Sequence, residues 1–366
     1  MDHPKGTPPP ARPSVMNAAL TRPDWTVSMR NTAGVLALDK NENNDPIFRE
    51  QLNEILAGLP PEASIEYPDL AAHYHKLARH LGVSAENLLF THGSDGAIRL
   101  VFEAFLSEGE TVLATRPTFA MYPIYSMIYG GRLEHLDYES NAFGPTLSVD
   151  TVCDAIDTHQ PRILCLPNPD SPTGTHFEVD ACVRILKKAE AVGSVVIADE
   201  AYFPFSDTTV IGQIDTFANL VVTRTFAKAW GIAGLRLGYA AAHPKMMQIL
   251  HKVRPMYEVN GTALAAMSAL IDRYDIVDAS VQRTNTGRDY FASEMNKLGF
   301  KTFTGSGNFV QVDFDKKRDQ VFAALDGKVL YRKSFSEPCL AGFSRFSTAP
   351  EDVMRRLVEM ITVAVA

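Results

Sequence analysis

Lys228 has the clearest chemical opportunity in this sequence. It sits in Thr223-Arg224-Thr225-Phe226-Ala227-Lys228-Ala229-Trp230-Gly231, among small, hydroxylated and apolar residues. A lysine amine withdrawn from water loses its proton more readily and can attack a carbonyl. Arg236 follows eight residues later, after a Gly-containing turn, where its guanidinium can hold a phosphate through paired hydrogen bonds. Upstream, the apolar run Val195-Val196-Ile197-Ala198 ends in Asp199, with Tyr202 three residues further on. Earlier still, Asn87 to Thr91 reads as a short strand running into His92-Gly93-Ser94-Asp95-Gly96 and then an apolar helix from Ala97 to Leu106. A strand, a glycine turn and a helix start present backbone N–H groups to an anion, and the helix dipole favours negative charge there.

Together these stretches resemble the core of the fold-type I pyridoxal-phosphate enzymes, and within that group the histidinol-phosphate aminotransferases. The resemblance runs from about Leu38 to the C-terminus. It implies that Lys228 binds the cofactor's C4′ carbon and later moves a proton between that carbon and the substrate's Cα. Asp199 would face the pyridine nitrogen and keep it protonated, making the ring an electron sink. Tyr202 would donate to O3′, and Phe119 would stack on the ring. Ser94, Asp95, Thr225 and Arg236 would hold the cofactor phosphate, and Tyr67 would reach it from a partner subunit, which implies a homodimer with shared active sites. The segment Leu36 to Asn43 is similar to the family's entry motif. Asn41 and Asn308 resemble polar residues of the substrate pocket, and Arg332 and Arg345 resemble a pair that grips the substrate's anionic end.

The implied activity is transfer of an amino group between a small amine or amino acid with an anionic tail, such as a phosphate, and a 2-oxo acid. Another reaction on the same scaffold is the alternative: threonine-phosphate decarboxylases share these core motifs, and substrate orientation at Cα decides which bond breaks. A non-catalytic cofactor-binding regulator would need a DNA-binding module, and the N-terminal arm is too short and proline-rich for one. Taken singly, the residues also have ordinary readings: Lys228 as a solvated lysine, Asp199 as a helix cap, Tyr202 and Phe119 as core aromatics, Tyr67 as a turn residue, the arginines as surface charges. Three positions depart from the family pattern. Ser171 stands where an asparagine usually donates to O3′, Ala227 where a serine or threonine precedes the lysine, and Gly96 where a glutamate follows Gly-Ser-Asp. They leave room for a paralogue with a different amine substrate.

Positioning such residues requires a large α/β scaffold. Short apolar strands alternate with amphipathic helices from Asn87 to Ala241, which predicts a mostly parallel sheet with helices on both faces and active residues at the strands' carboxyl ends. After about His243 the texture changes to helices Pro244–Val253 and Gly261–Tyr274, a long helix from Val277 to Leu298, short strands near Lys301, Phe309–Phe314, Lys328–Tyr331 and Phe343–Ser347, and helices Asp319–Leu325 and Glu351–Val365. The expected organisation is an arm over residues 1–35, rich in proline and mobile, a large cofactor-binding domain over 36–255, and a smaller α+β domain over 256–366 helped by the N-terminal segment. With 366 residues and 46% hydrophobic content, the chain can build both cores. A net charge of −8 argues against nucleic acid as the main partner. No run of about 18 apolar residues spans a membrane, and no secretory signal is visible. Cys153, Cys165, Cys182 and Cys339 lack metal-binding spacing and read as reduced thiols, which predicts a cytoplasmic protein with no bound metal.

Overall fold

The computed structural model describes residues 11–21 and 34–366. Much of the expected arm, residues 1–10 and 22–33, lies outside them. The described part, residues 11–21, forms turns against the large domain, where Ser14 Oγ donates to the Ile128 carbonyl at 2.9 Å.

Seven strands form the central sheet, in the spatial order Leu88–Thr91, Gly238–Ala242, Leu220–Thr225, Val195–Asp199, Ile163–Pro167, Thr111–Arg116 and Arg132–Asp137. Only Gly238–Ala242 runs antiparallel to its neighbours. The strands are short and apolar because both sheet faces are covered, as parallel sheets require. Alternation sends Leu164, Leu166, Val196, Ala198, Leu220 and Val222 to one face and Ile163, Cys165, Val195, Ile197 and Val221 to the other. Helices including Val149–His159, Val179–Ala191 and Gly261–Asp272 cover the first face. Helices Gly93–Phe105, Met121–Ile128 and Pro244–Val253 cover the second.

A smaller antiparallel sheet, Lys301–Thr304, Phe309–Asp313 and Phe343–Ser347, packs with helices Tyr274–Lys297 and Glu351–Val365 into a separate core. Leu36 and Ala37 pair with Val329 and Leu330, and Leu38 is buried in this core. Helix Gly261–Asp272 and the first turns of Tyr274–Lys297 belong to the large core, whereas Phe291 and Met295 belong to the small one.

The chain enters the site through Asn41 to Asp45. Asp45 caps helix Pro46–Ala57 by accepting from Ile47 N at 3.0 Å, and its second oxygen takes Arg283 Nη2 at 2.6 Å. A cap of this kind contributes about 1 kcal/mol, and here it also fixes the course of the residues before it.

Candidate active site

At the carboxyl ends of the central strands lies a cavity of about 190 Å³. The residues following Thr91, Arg116, Pro167, Asp199 and Thr225 converge on it, because parallel strands bring their carboxyl ends to one edge. Ser94, Asp95, Phe119, Ser171, Asp199, Tyr202, Thr225, Lys228 and Arg236 all line it, although the sequence spreads them over 143 positions (94 to 236, counted inclusively).

Lys228 sits on the loop after strand Leu220–Thr225, and its Nζ donates to the Lys40 carbonyl at 2.6 Å. Its side chain touches the cavity on one side and is closely surrounded by protein on the others. That burial lowers the amine's pKa; nearby Tyr202 opposes the shift, and Arg345 adds to it. A lysine of this kind has a larger neutral fraction than one in water, which is what a nucleophilic amine needs.

Asp199 is buried at its strand end. Tyr122 Oη donates to its Oδ2 at 2.9 Å and Thr223 Oγ1 to its Oδ1 at 3.1 Å. Burial nevertheless pushes its carboxyl from 3.8 up to about 6, with the two hydroxyls working against the rise. This acid has only neutral donors, the two hydroxyls and the Ala201 N–H, and no ion pair among the described residues, so it suits a cationic N–H brought in by a ligand.

Tyr202 Oη accepts from Asn41 Nδ2 at 2.8 Å. Asn41 holds a left-handed backbone conformation, φ 54°, secured by Ser347: Asn41 N and Asn41 Oδ1 each lie 2.8 Å from Ser347 Oγ. Asn308 Nδ2 donates to the Asn41 carbonyl at 3.1 Å, so Asn308 supports the entry segment and does not line the cavity.

On the anion side, the Arg236 guanidinium lies against Gly93, with Nη2 3.0 Å from where a Cβ there would stand. Gly93 has φ +72° and opens helix Gly93–Phe105. Gly238 lies directly beneath: a Cβ on it would clash with the Gly93 carbonyl carbon and stand 2.5 Å from Ser94 N. Two main chains therefore touch here, and only glycine permits it. Asp95 turns away from the anion side and accepts from Tyr125 Oη at 2.9 Å.

Arg345 is buried; Nη1 donates to Ser171 Oγ at 3.2 Å and Nη2 to the Asp39 carbonyl at 2.8 Å, while Nε has no partner among the described residues. Burial lowers its pKa. Arg332 pairs with Arg345 through its backbone, but its guanidinium is exposed and lies over the Phe335 ring at 4.5 Å, outside the cavity lining. Tyr67 is exposed and stacks on Tyr257 with ring centroids 4.1 Å apart; it borders a separate groove of about 770 Å³ that Arg236 also borders.

Sequence reasoning did not find Tyr122, Thr223 or Ser347. Tyr122 and Asp199 lie 77 residues apart with no motif between them. Asp170 immediately precedes Ser171 in the chain. It is fully buried, and its Oδ2 accepts from Thr115 Oγ1 and Tyr138 Oη, each at 2.9 Å, which pins the turn that carries Ser171. Burial raises its carboxyl to about 6.

The sequence matches the family described as aminotransferase class I and II over residues 33–361. The chain belongs to that family. As a class I and II aminotransferase it works with pyridoxal phosphate, and the site fits this cofactor: an amine of lowered pKa, a buried carboxylate awaiting a cationic donor, and a helix start paired with an arginine share one cavity. The histidinol-phosphate aminotransferase of Caldanaerobacter subterraneus subsp. tengcongensis is 33% identical over 299 residues, covering 81% of this chain and 83% of that one. Among solved structures, the histidinol-phosphate aminotransferase of Sinorhizobium meliloti in complex with pyridoxal-5′-phosphate superposes with a TM-score of 0.77 at 22% identity, covering 90% of each chain. The L-threonine-O-3-phosphate decarboxylase of Porphyromonas gingivalis superposes with a TM-score of 0.74 at 19% identity, covering 90% of this chain and 99% of that one. Both superpositions show a shared fold. Among the described residues no helix is long and apolar enough to cross a membrane.

Proposed function

We propose that this aminotransferase takes its amino group from an amine or amino acid with a phosphate tail, histidinol phosphate being the first donor to test, and passes it to a 2-oxo acid. The observation carrying this reading is that a buried arginine, Arg345, reaches Ser171 on the rim of the same cavity that holds Lys228 and Asp199. Bound pyridoxal phosphate supplies a carbonyl and an electron-withdrawing ring. Lys228 binds the carbonyl carbon and, once displaced, holds and delivers the proton at the substrate's Cα. Asp199, held by Tyr122 and Thr223, keeps the ring nitrogen protonated. Tyr202, oriented by Asn41, serves the ring oxygen, with Ser171 beside it. Phe119 packs on the ring, and Ser94, Thr225 and Arg236 hold the phosphate, with Asp95 turned toward Tyr125 behind them.

Arg345 binds the substrate's anionic end, and Arg332, one bridge away with its guanidinium over Phe335, adds positive charge from outside the cavity. Removing one partner of a desolvated charge pair costs on the order of 2–5 kcal/mol, so Arg345→Ala should lower kcat/KM for a phosphorylated donor by about 30-fold or more. An uncharged amine donor should lose much less. The test is a donor panel read by the visible absorbance of the loaded enzyme without 2-oxo acid. A transaminase loses that absorbance in one turnover, whereas release of carbon dioxide with the absorbance restored would point to a decarboxylase. Equal losses on charged and uncharged donors would remove the phosphate-tail reading.

The proposed unit is a homodimer in the cytoplasm. Exposed Ile65, Tyr67 and Tyr257 flank the groove beside Arg236, which suits a second copy bringing its own Tyr67 there. All four cysteines are free thiols, as a reducing compartment would keep them. The proposed domain division keeps an arm, a large cofactor-binding domain and a small domain, with the seam inside helix Tyr274–Lys297.

A further inference from the structure

Helix Gly93–Phe105, whose first turn forms the anion side of the cavity, begins with an unusual arrangement. Its N-cap residue, His92, offers no capping side chain. The first N–H groups of a helix lack intrahelical partners, and a common remedy is an acid at the third helical position reaching back to the N-cap N–H. Here that position is Asp95, and Tyr125 holds its carboxylate instead. The His92 N–H is accepted by Glu258 Oε1 at 3.4 Å, an acid 166 residues away in sequence.

Glycine at residue 96 leaves room for Glu258 at this point. A Cβ there would stand 3.1 Å from Glu258 Oε1 and 3.2 Å from Thr91 Cβ. Glycine inside a helix is ordinarily less favourable than alanine, so its presence in the first turn is accounted for by the seat it leaves. Glu258 is 7% exposed; His92 Nδ1 lies 3.8 Å away on an imidazole that burial and Arg236 hold toward the neutral form, Arg254 and Arg99 act on the acid only through longer-range charge, and Oε2 has no hydrogen-bond partner among the described residues. Burying an acid without a close cation is costly, so an ion pair does not explain its placement. Two residues on, Asn260 Nδ2 donates to the Leu235 carbonyl at 3.0 Å, next to Arg236. The connector between helices Pro244–Val253 and Gly261–Asp272 therefore touches both halves of the anion side, the His92 turn and the Arg236 turn.

We propose that Glu258, seated against Gly96, is a positioning residue for the phosphate cradle: it caps the cradle helix from a distant connector and holds the His92–Ser94 turn in register with Arg236. The proposal rests on the reading that this turn and Arg236 hold the cofactor phosphate. The experiment compares equilibrium binding of pyridoxal phosphate and of pyridoxal, which lacks the phosphate, to the apoprotein. Glu258→Ala should weaken the phosphorylated compound about fivefold and leave pyridoxal within about twofold. Glu258→Gln, which keeps an oxygen for the His92 N–H, should restore the preference. Gly96→Ala should reduce the preference in the wild-type background, where its Cβ displaces the carboxylate. In the Glu258→Ala background the same change should cost no further preference, because no carboxylate is left to displace. Should Glu258→Ala fail to fold, Gly96→Ala and Glu258→Gln still decide the matter. Arg236→Ala serves as the control and should abolish the preference. If Arg236→Ala does so while Glu258→Ala and Gly96→Ala leave the preference intact, the role of Glu258 is overturned and the cradle stands. If Arg236→Ala leaves it intact, the cradle reading falls and the inference falls with it.

Discussion

Tyr122→Phe offers a clean perturbation of the acid proposed to face the ring nitrogen. Tyr122 is fully buried, and its hydroxyl is one of two that donate to the Asp199 side chain. Phenylalanine fills the same space, so the change removes a hydrogen bond and little else. A hydrogen bond to a charged group contributes roughly 1.5–3 kcal/mol, and one pKa unit corresponds to about 1.36 kcal/mol. Taking the lower figure, Asp199 should move from about 6 to about 7 in the apoprotein. An ionised Asp199 is the form that pairs with a protonated ring, so cofactor affinity should fall away below that value. At about pH 6 the carboxyl is about half ionised in the wild type and about one-tenth in the variant, giving a fivefold difference in affinity, by order of magnitude. Above about pH 8 both are ionised and the two affinities should converge. The assay is a cofactor titration of both apoproteins across this range, read by quenching of intrinsic fluorescence. Ionisation of Lys228 and of the cofactor phosphate is common to both proteins and cancels in the ratio. Superimposable profiles would refute the reasoning. A deficit undiminished at high pH would refute it too, because Tyr122 would then be shaping the cavity and not tuning the acid.

Three further outcomes are expected. Borohydride reduction of the loaded protein followed by peptide mapping should place the cofactor on Lys228, and Lys228→Ala should yield no stable adduct; an adduct on another lysine would withdraw the assignment. Verified heterodimers of a Tyr67→Phe chain with a Lys228→Ala chain carry both defects in one site and none in the other if the tyrosine acts across the interface, so activity should partly return, and no recovery would place Tyr67 in its own subunit's site. Asp170 is raised in the folded state from 3.8 to about 6, so the folded protein binds its proton more tightly than the unfolded chain does. That contribution is favourable below the unfolded value and is lost as pH rises from about 4 to about 6, by roughly 3 kcal/mol at most. Asp170→Asn should therefore gain stability relative to wild type over that interval in denaturant titrations, and a constant difference would show that the carboxyl does not titrate there.

Much of the scaffold is legible because its strands are buried on both faces and read as unbroken apolar runs. Phe343–Ser347 and Pro244–Val253 fall where the pattern predicts them. Helix Gly93–Phe105 begins four residues before its expected start at Ala97, because Gly93 and Gly96 look like turn punctuation while the turn is already helical. Helix Val149–His159 went unread: Val152 and Ile156 are its only fully buried positions, and aspartates interrupt them. The hairpin Glu139–Asn141 with Gly144–Thr146 is polar and largely exposed and gives no alternating signal. Within the site, residues inside local motifs were visible and those acting across the fold were not. Thr223 lies on the same strand as other buried residues, and only the register that sets it beside Asp199 reveals its use. Arg332 and Arg345 could be paired by sequence, but which guanidinium turns inward depends on the Phe335 ring that holds Arg332 outside.

The contact between Gly93 and Gly238 divides what this protein can vary from what it must inherit unchanged. Where the Gly93 and Gly238 turns meet, the spacing is set by two main chains lying against each other, so no side chain stands at that contact to lengthen, shorten or recharge. The proposed substrate side is made of side chains, Ser171 in the cavity lining and Arg345 bonded to it, with Arg332 bridged to Arg345 through its backbone. Drift can rewrite the substrate side one residue at a time while the cofactor side stays at fixed gauge. A lineage built this way should change donors readily and its cofactor hardly at all, and a laboratory selection for new amine donors should collect its substitutions around residues 171, 332 and 345 and leave positions 93 and 238 untouched.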